Sequence, residues 1–189
     1  MTHQDGTQLH AHPTTIKLSS GSYFDFQSPE SSTFDILDIA HSLSNICRYT
    51  GHCHTFYSVA QHSVLVSFAV PEEHAFAGLM HDAAEAFIGD MSRPLKLMLP
   101  DYRRIEARIE AALFSRYGLP QQLPKCVKDA DNVLLRTEQR DLMRADSHCW
   151  SATDGVDPLP DRINPIHPKE AELLFLRRFW MLTRWITLH

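Results

Sequence analysis

Four residues of this sequence have the types and spacing that a metal ion requires: His62, the adjacent pair His81-Asp82, and Asp131. Each falls on a predicted helical segment, on a face that can be turned towards the interior. A buried carboxylate needs a hydrogen-bonding partner or a cation. Two imidazoles and two carboxylates form a mixed nitrogen and oxygen site, which suits Mn, Fe, Co, Ni or Zn and fits Ca poorly. The pattern therefore predicts one divalent transition metal ion as cofactor, with Mg less favoured.

Each of the four residues also has an ordinary structural interpretation. A single histidine on an apolar face is more often a hydrogen-bonded core residue than a ligand, and Asp131 could form an ion pair with Lys128. The adjacent side chains of His81 and Asp82 diverge by about 100°, so both reach one centre only at the flank of their helix. The conjunction of the four, together with the residues that flank them, favours the metal site.

The segments around these residues resemble the HD-domain superfamily of metal-dependent phosphohydrolases. The resemblance is carried by SVAQHSV (58–64), GLMHDAAEAFIGDMSRPLK (78–96) and KDADNVLLRTEQRDLM (128–143). The order His, His-Asp, Asp is specific, and the pattern E-x-x-x-x-D-x-x-x-P-x-K that begins at Glu85 adds to it. From about Ile16 to Arg144, the chain is most similar to small bacterial and phage members related to 5′-deoxynucleotidases and deoxynucleoside triphosphate triphosphohydrolases.

The resemblance assigns roles by position. It implies that the metal ligands are His62, His81, Asp82 and Asp131. It matches Glu85 and Asp90 to an acidic pair that those nucleotidases place beside the activated water. It matches Arg48 to an arginine that contacts the substrate phosphate, while Tyr49 stands where those nucleotidases carry tryptophan. The contacts to sugar and base are therefore left undefined.

Elementary chemistry supports several of these roles. Glu85 lies one helical turn beyond Asp82, close enough to accept or relay a proton from a water that a divalent cation activates. A phosphoryl group in transfer needs cationic neighbours, and the candidates in the predicted loops are Arg48, Arg93 and Lys96. Tyr49 is a candidate stacking face for a base. Each of these roles has a structural alternative. Glu85, Arg93 and Lys96 could be solvent-exposed side chains, Asp90 could be a turn residue, and Tyr49 could pack in the core.

The elements that position these residues are mainly helical. We expect an all-α fold, an HD-domain helical bundle with a short N-terminal β-hairpin. Residues 1–14 are expected to be a disordered N-terminus and residues 15–189 a single HD domain. The hairpin is predicted from 15–18 and 23–26, which flank a Ser- and Gly-containing turn. The predicted helices cover about 36–46, 59–70, 72–88, 101–117, 123–145 and 168–189, with loops at 27–33, 91–100 and 146–165.

Local signals define the ends and faces of several helices. Ser58 and Gln61 predict a capping box at the start of the second helix. Gly89 predicts the end of the third helix, and Pro168 suits the first turn of the last one. The predicted inner faces contain Ile105, Ile109, Ala112 and Leu113 in the fourth helix, and Leu173, Leu174, Leu176 and Phe179 in the last.

Composition disfavours several classes of protein. Eighteen basic and twenty-three acidic residues give a net charge of −5, which argues against a nucleic-acid polymer as partner. No run approaches the ~18 apolar residues of a membrane span, and the N-terminus lacks the apolar stretch of a signal peptide. We therefore expect a cytoplasmic protein that binds no membrane. The cysteines, expected to be reduced thiols, are Cys47, Cys53, Cys126 and Cys149.

The expected partner is a small-molecule nucleotide, and the oligomeric state is left open, a homo-oligomer included. One alternative is an HD hydrolase of another phosphorylated metabolite or signalling nucleotide. A catalytically silent, nucleotide-binding regulatory HD module is a second, disfavoured because all four ligand positions are filled. An HD-fold oxygenase is a third, disfavoured because residues 83–100 supply no further histidine. The sequence does not choose between cleavage of a monophosphate ester and release of triphosphate.

Overall fold

A computed structural model of the chain describes residues 13–145, 150 and 153–183. Those residues form an antiparallel hairpin followed by α-helices. The elements are β1 Thr15–Lys17, β2 Tyr23–Asp25, α1 Ile36–Asn45, α2 Val59–Ala69, α3 Ala75–Met80, α4 Glu85–Ile88, α5 Arg93–Met98, α6 Pro100–Arg116, α7 Lys125–Leu142 and α8 Pro168–Thr183. Short 3₁₀ turns lie at Pro29–Ser31, Arg48–Gly51 and Glu72–His74. The expected all-α class with a short N-terminal hairpin is confirmed.

Some sequence predictions concern residues outside the described part of the chain. The expected disorder of residues 1–14 falls mainly on residues 1–12, which are outside it. Cys149 and much of the first half of the predicted 146–165 loop are outside it as well. The other three cysteines, Cys47, Cys53 and Cys126, are free, as predicted. Among the described helices, none is long and apolar enough to cross a membrane.

The N-terminal hairpin supports the short helix α4. β1 pairs antiparallel with β2, and Ile16 lies opposite Phe24 in the register. Phe24 is fully buried and stacks on Phe87 of α4, with the ring centroids 3.9 Å apart. Phe34 meets the same Phe87 ring edge-on at 5.1 Å. Stacked and edge-on aromatic pairs add to the apolar area that they bury, so the hairpin holds α4 against the bundle.

Helix α2 lies at the centre of the bundle and packs against α1, α3, α7 and α8. Val59, His62 and Val66 on this helix have no exposed surface. Gly78 of α3 allows the close approach of the two helices, because a Cβ atom there would lie only 3.1 Å from the Cα atom of Ser67. Close packing of this kind leaves little freedom to the side chains between the helices. His62 is therefore held in a rigid interior.

The predicted capping box at the start of α2 is only half formed. Ser58 accepts a hydrogen bond from the Gln61 N–H at 3.1 Å, as expected. The Gln61 side chain, however, donates to the Asn164 carbonyl at 2.8 Å and accepts from the Ile166 N–H at 3.1 Å. A backbone donor and a backbone acceptor in the chain before α8 are satisfied in this way. Gln61 therefore ties that segment to α2 instead of capping its own helix.

The segment predicted as one helix over residues 72–88 is interrupted, and this prediction is wrong. Helix α3 ends at Met80, four residues form turns, and α4 then adds a single helical turn. The Ala83 N–H bonds to the Met80 carbonyl and the Glu85 N–H to the Asp82 carbonyl, each at 3.0 Å. Such bonds to the third preceding residue are tighter than those of an α-helix. Gly89 ends α4 as predicted, with φ +79°.

Residues 91–100, predicted as a loop, contain the helix α5, so this prediction is also wrong. Pro94 lies in the first turn of α5, where a missing N–H costs nothing. The predicted inner face of α6 is correct for Ile109 and Leu113, but Ile105 is 39% exposed. In α8 the prediction is wrong for Leu173 and Leu174, because the buried residues are Ala171, Phe175, Arg178 and Phe179. The leucine-rich run at 173–176 offers several apolar faces, and packing selects another.

Candidate metal centre and phosphate site

The four predicted ligands come together in one place. His62 lies in the middle of α2, His81 and Asp82 follow the end of α3, and Asp131 belongs to α7. The Nε2 atom of His62 lies 3.4 Å from Asp131 Oδ1 and 3.6 Å from Asp82 Oδ2. The Nε2 atom of His81 lies 3.2 Å from the same Asp82 oxygen. Two nitrogens and two oxygens thus face a common point.

The chemistry of these atoms fits a divalent cation. Both Nε2 atoms are buried and make no hydrogen bond in the described chain. The Nδ1 atom of His81 lies 2.8 Å from the Gly78 carbonyl, and that of His62 lies 2.6 Å from Glu138 Oε1. Since each Nδ1 faces an acceptor, it carries the proton and leaves the Nε2 lone pair for a cation. Ligands at 2.0–2.2 Å from one ion are about 3.0–3.4 Å apart, so His62, His81 and Asp131 could hold a metal ion, with Asp82 beside them.

The electrostatics of the centre also favour a cation. Burial and Arg48 lower the pKa of His62, but Glu138 and Asp131 raise it, to about 9. Burial raises the pKa of Asp131, yet His62, whose Nε2 atom lies 3.4 Å away, brings it well below the usual range. Burial likewise raises the pKa of Asp82, while His81 and His62 lower it. The surroundings thus stabilise positive charge at His62 and negative charge at the two aspartates. A divalent cation at Nε2 of His62 would take the place of a proton there.

Asp131 combines the two interpretations offered by the sequence. Its Oδ1 atom faces His62, and its Oδ2 atom accepts from Lys128 Nζ at 2.5 Å. Lys128 is largely exposed, so the pair adds little stability by itself. The ion pair fixes the orientation of the carboxylate and leaves one oxygen for the centre.

Glu138 of α7 is a buried residue of the site that the sequence did not single out. It has no exposed surface. Its Oε2 atom accepts from Arg48 Nη2 at 3.0 Å and from the Tyr49 hydroxyl, while Oε1 faces His62. Burial raises the pKa of Glu138, but Arg48 and His62 lower it to about 2. The sequence signal for this role is a carboxylate two helical turns after Asp131, on the same inward face.

Arg48 lies at the edge of the centre and is buried. Its Nη1 atom lies 3.6 Å from Asp82 Oδ2 and 3.9 Å from Asp90 Oδ2. Its Nε atom has no hydrogen-bond partner in the part of the chain that the structure describes. Tyr49 and Thr50, which follow it, both have φ +55°, a left-handed conformation that costs free energy in residues with a Cβ atom. Strain of this kind persists where surrounding contacts enforce it, here the bond of the Tyr49 hydroxyl to Glu138.

Tyr49 is also near the centre, but its polar atom is already engaged. Besides the bond to Glu138, its ring lies 5.6 Å from the ring of Trp150 and 5.3 Å from the Arg48 guanidinium carbon. Burial and Glu138 raise the pKa of Tyr49 above its usual range. The hydroxyl therefore stays protonated and acts as a donor within the site.

Glu85 and Lys96 form the other side of the site. Glu85 is 5% exposed, and its Oε2 atom has no partner in the described chain. Its Oε1 atom lies 3.4 Å from Lys96 Nζ, which also donates to Glu106 at 2.6 Å. Burial, Asp82 and Asp90 raise the pKa of Glu85 well above its usual range, against the opposing charge of Lys96. Lys96 is therefore held between two carboxylates, and Glu106 is a second residue that the sequence analysis missed.

Asp90 and Arg93 have different positions relative to this group. Asp90 is brought to the site, since its carboxylate faces Arg48; burial raises its pKa and Arg48 opposes the rise. Arg93 is exposed at the start of α5. No ion pair within the described residues links Arg93 to a carboxylate of the centre. The structure therefore brings every predicted site residue except Arg93 within electrostatic reach of the centre, with Glu85 and Lys96 influenced by Asp82.

Comparison with known proteins gives relatives but no family description, since no family model matches the chain. The uncharacterized protein YfdR of Escherichia coli K12 is 46% identical over 166 residues, which cover 87% of this chain and 93% of YfdR. An uncharacterized protein of Rhodobacter capsulatus is 37% identical over 136 residues, 65% of this chain and 69% of the relative. Identity at this level over nearly the whole of YfdR shows common descent and a common fold. The chain therefore belongs to the same protein family as YfdR.

Proposed function

We propose that this protein is an HD-type, metal-dependent phosphohydrolase that hydrolyses nucleotides, deoxynucleotides in particular. The observation that carries the proposal is the convergence of His62, His81, Asp82 and Asp131, with both histidine Nε2 atoms buried and without a hydrogen bond to any described residue. The order of these residues along the chain is the order of the HD superfamily, which the sequence resembles. A regulatory module without activity would have no need of a complete set of ligands.

The cofactor proposed is one divalent transition metal ion, Mn, Co, Ni, Zn or Fe, in preference to Mg. Two imidazole ligands select for this group of metals. When bound, such an ion lowers the pKa of a coordinated water towards neutrality and so supplies the nucleophile. The residues of the chain then have to orient the phosphate and move protons.

Glu85 is the proposed proton-transfer group. It lies near Asp82 with one carboxylate oxygen unpaired among the described residues, and its raised pKa suits a group that must both take up and release a proton. Asp90 is proposed to assist Glu85 and to share the charge of Arg48. The charge of Lys96 opposes the rise in the pKa of Glu85.

Arg48 is the proposed phosphate-binding residue. A guanidinium carries its charge at any relevant pH and binds phosphate oxygens through its planar array of donors. One donor of Arg48 is used by Glu138, while Nε is free in the described chain. This leaves donors for a phosphate next to the cation, where transition-state charge develops.

The distribution of cations favours a monophosphate ester over a triphosphate. A monophosphatase needs little besides the cation and Arg48, whereas a triphosphatase must also hold the outer phosphates. Lys96 is engaged by Glu85 and Glu106, and no ion pair in the described part of the chain joins Arg93 to the site. A net charge of −5 disfavours a nucleic-acid polymer as substrate, and a nucleotide substrate accords with a cytoplasmic location.

Product analysis tests this proposal. The protein is incubated with ribo- and deoxynucleoside mono- and triphosphates in the presence of Mn, Co, Ni, Zn or Mg, with a chelator control. Release of phosphate from deoxynucleoside monophosphates, lost with the chelator, is the expected result. If no nucleotide in the panel is cleaved with any metal, the nucleotidase proposal is wrong. The metal content of the purified protein, measured separately, decides whether the metal site survives that result.

A further inference from the structure

Glu138 touches both functional parts of the site without belonging to either. One carboxylate oxygen faces the Nδ1 atom of His62 at 2.6 Å, and the other accepts from Arg48 at 3.0 Å. A carboxylate with no exposed surface is strongly unfavourable unless its charge is matched and its oxygens are hydrogen-bonded. Arg48, His62 and the Tyr49 hydroxyl provide that match. The residue must therefore stay in one position if its burial is to be tolerated.

We propose that Glu138 is a positioning residue that orients both the metal ligand His62 and the phosphate-binding Arg48. The inference rests on the proposed function, which assigns the cation to the centre and the phosphate to Arg48. It adds that the geometry of both binding events depends on a single carboxylate in the interior of α7.

The effect on His62 follows from the two nitrogens of the ring. The bond at Nδ1 selects the tautomer with an unprotonated Nε2 and fixes the plane of the ring, so that the Nε2 lone pair meets the cation. The ring of His81 is oriented in the same way by a neutral acceptor, the Gly78 carbonyl, which lies 2.8 Å from its Nδ1 atom. A full negative charge on Glu138 makes His62 a more basic ligand than a carbonyl would. Loss of Glu138 would let the His62 ring rotate or change tautomer.

The effect on Arg48 follows from its other neighbours. Its Nη1 atom lies 3.6 Å from Asp82 and 3.9 Å from Asp90, both longer than the 3.0 Å bond to Glu138. The Glu138 bond therefore holds the guanidinium back from Asp82. Released from Glu138, the arginine would approach Asp82 and compete with the cation for that oxygen. Asp131 and Glu138 are seven residues apart on α7, so the same rigid helix supplies a ligand and this restraint.

A general electrostatic effect must be separated from positioning, because any nearby negative charge attracts a cation. Glu138→Asp keeps the charge but is one methylene shorter, so it cannot reach both partners. Glu138→Gln keeps the length and an oxygen that can accept from His62, but it removes the charge and turns an amide towards Arg48. Asp129→Asn is the matched control, since Asp129 is exposed on the same helix and pairs with Lys125. Circular dichroism and thermal unfolding establish that each variant is folded.

The test measures the affinity for Mn²⁺, and for inorganic phosphate with Mn²⁺ saturating, by titration calorimetry on the full chain. For Glu138→Asp we expect the Kd for Mn²⁺ to rise by about 10–100-fold and that for phosphate by about tenfold. For Glu138→Gln we expect the Kd for phosphate to rise by as much as in Glu138→Asp. Its Kd for Mn²⁺ should rise less than that of Glu138→Asp. Asp129→Asn should match the parent in both.

Three results would overturn the inference. Parent-like affinity of Glu138→Asp for either ligand would show that Glu138 does not position both residues. A larger loss of Mn²⁺ affinity in Glu138→Gln than in Glu138→Asp would show that only the charge of Glu138 matters. The same comparison of Mn²⁺ affinities tests the inference if Glu138→Asp unfolds before its phosphate affinity is measured. Should Glu138→Asp not fold at all, phosphate affinity unchanged in Glu138→Gln would overturn the inference. A parent protein that binds neither ligand would contradict the proposed function itself, whereas a parent that binds both but hydrolyses nothing would leave this inference intact.

Discussion

His62 and Asp131 lie within long, regular helices, whereas His81, Asp82, Glu85 and Asp90 lie where the helix is interrupted after Met80 and ends again at Gly89. On the regular side the carboxylates are paired: Glu138 with three donors, and Asp131 with His62 and Lys128. On the interrupted side one oxygen of Glu85 is unpaired in the described chain, and the pKa values of Glu85 and Asp90 are raised.

The difference suggests a division of work within one site. The regular side is suited to hold ligands in place, because each polar group is fixed by a partner. The interrupted side is suited to proton transfer, because tight turns bring several carboxylates together and leave one of them incompletely satisfied. Substitutions that affect proton transfer should therefore differ in their consequences from substitutions that affect metal binding. The proposed metal ligands come from both sides.

The largest effect is expected when one ligand is removed from either side. His81→Ala and Asp131→Ala should each lose the metal and all measurable hydrolysis, because the remaining groups cannot complete the coordination of the ion. Metal content after dialysis, determined by plasma mass spectrometry, checks this. Ser115→Ala, at an exposed position of α6, is the control for metal lost during purification and dialysis. Parent-like metal content in either variant would remove that residue from the ligand set.

A smaller loss, without loss of the metal, is expected for Glu85→Gln on the interrupted side. Turnover should fall by about 10²–10⁴, the usual range for a general acid or base, while the metal content stays that of the parent. Steady-state kinetics with the best substrate from the nucleotide panel measures it. Turnover equal to that of the parent would reduce Glu85 to a structural residue.

The two sides also differ in how well the sequence predicts them. The period of apolar residues placed His62 and Asp131 on inward faces, and the structure agrees. The interruption after Met80 has no signal in the sequence, because residues 81–88 contain neither glycine nor proline. Pro94 favours a loop by its residue type, although it lies in the first turn of α5. A proline has both meanings in a sequence, and the packing of Lys96 against Glu85 and Glu106 is what favours the helix here.

The network around Glu138 could not be read from the sequence for another reason. Its partners Arg48 and His62 are 90 and 76 residues away along the chain. Local periodicity indicates that Glu138 is buried, but it does not say which donors meet it. Three-dimensional packing alone determines that the same carboxylate serves a predicted ligand and a predicted phosphate-binding residue.

The connection between the two sides is tested by Gly78→Ala. A Cβ atom at this position would lie 3.1 Å from Ser67 Cα and 3.1 Å from a methyl group of Val70, so α2 and α3 would have to separate. Overpacking of this kind destabilises a protein by about 1–3 kcal/mol. Urea unfolding followed by circular dichroism measures the change. If the variant is as stable as the parent, α2, which carries His62, and α3, which ends just before His81, are not tightly packed at Gly78.

The smallest effect in this series separates Lys96 from Arg93. Lys96→Met should lower turnover by about tenfold on a monophosphate, because Glu85 loses a charged partner. Arg93→Met should leave turnover within about twofold on the same substrate, since exposed charges without an ion pair contribute little. Kinetics on mono- and triphosphates in parallel decide the matter. A loss in Arg93→Met confined to triphosphates would instead give Arg93 a role in holding outer phosphates.

The central claim, that one metal ion lies between the two sides, is tested most directly by anomalous diffraction from crystals grown with Mn²⁺. Data collected above and below the metal absorption edge locate the ion without reference to activity. We expect a single strong peak per chain at about 2.0–2.2 Å from the Nε2 atoms of His62 and His81 and from oxygens of Asp82 and Asp131. A peak bound elsewhere, or none at this position in crystals whose protein binds Mn²⁺ in solution, would contradict it.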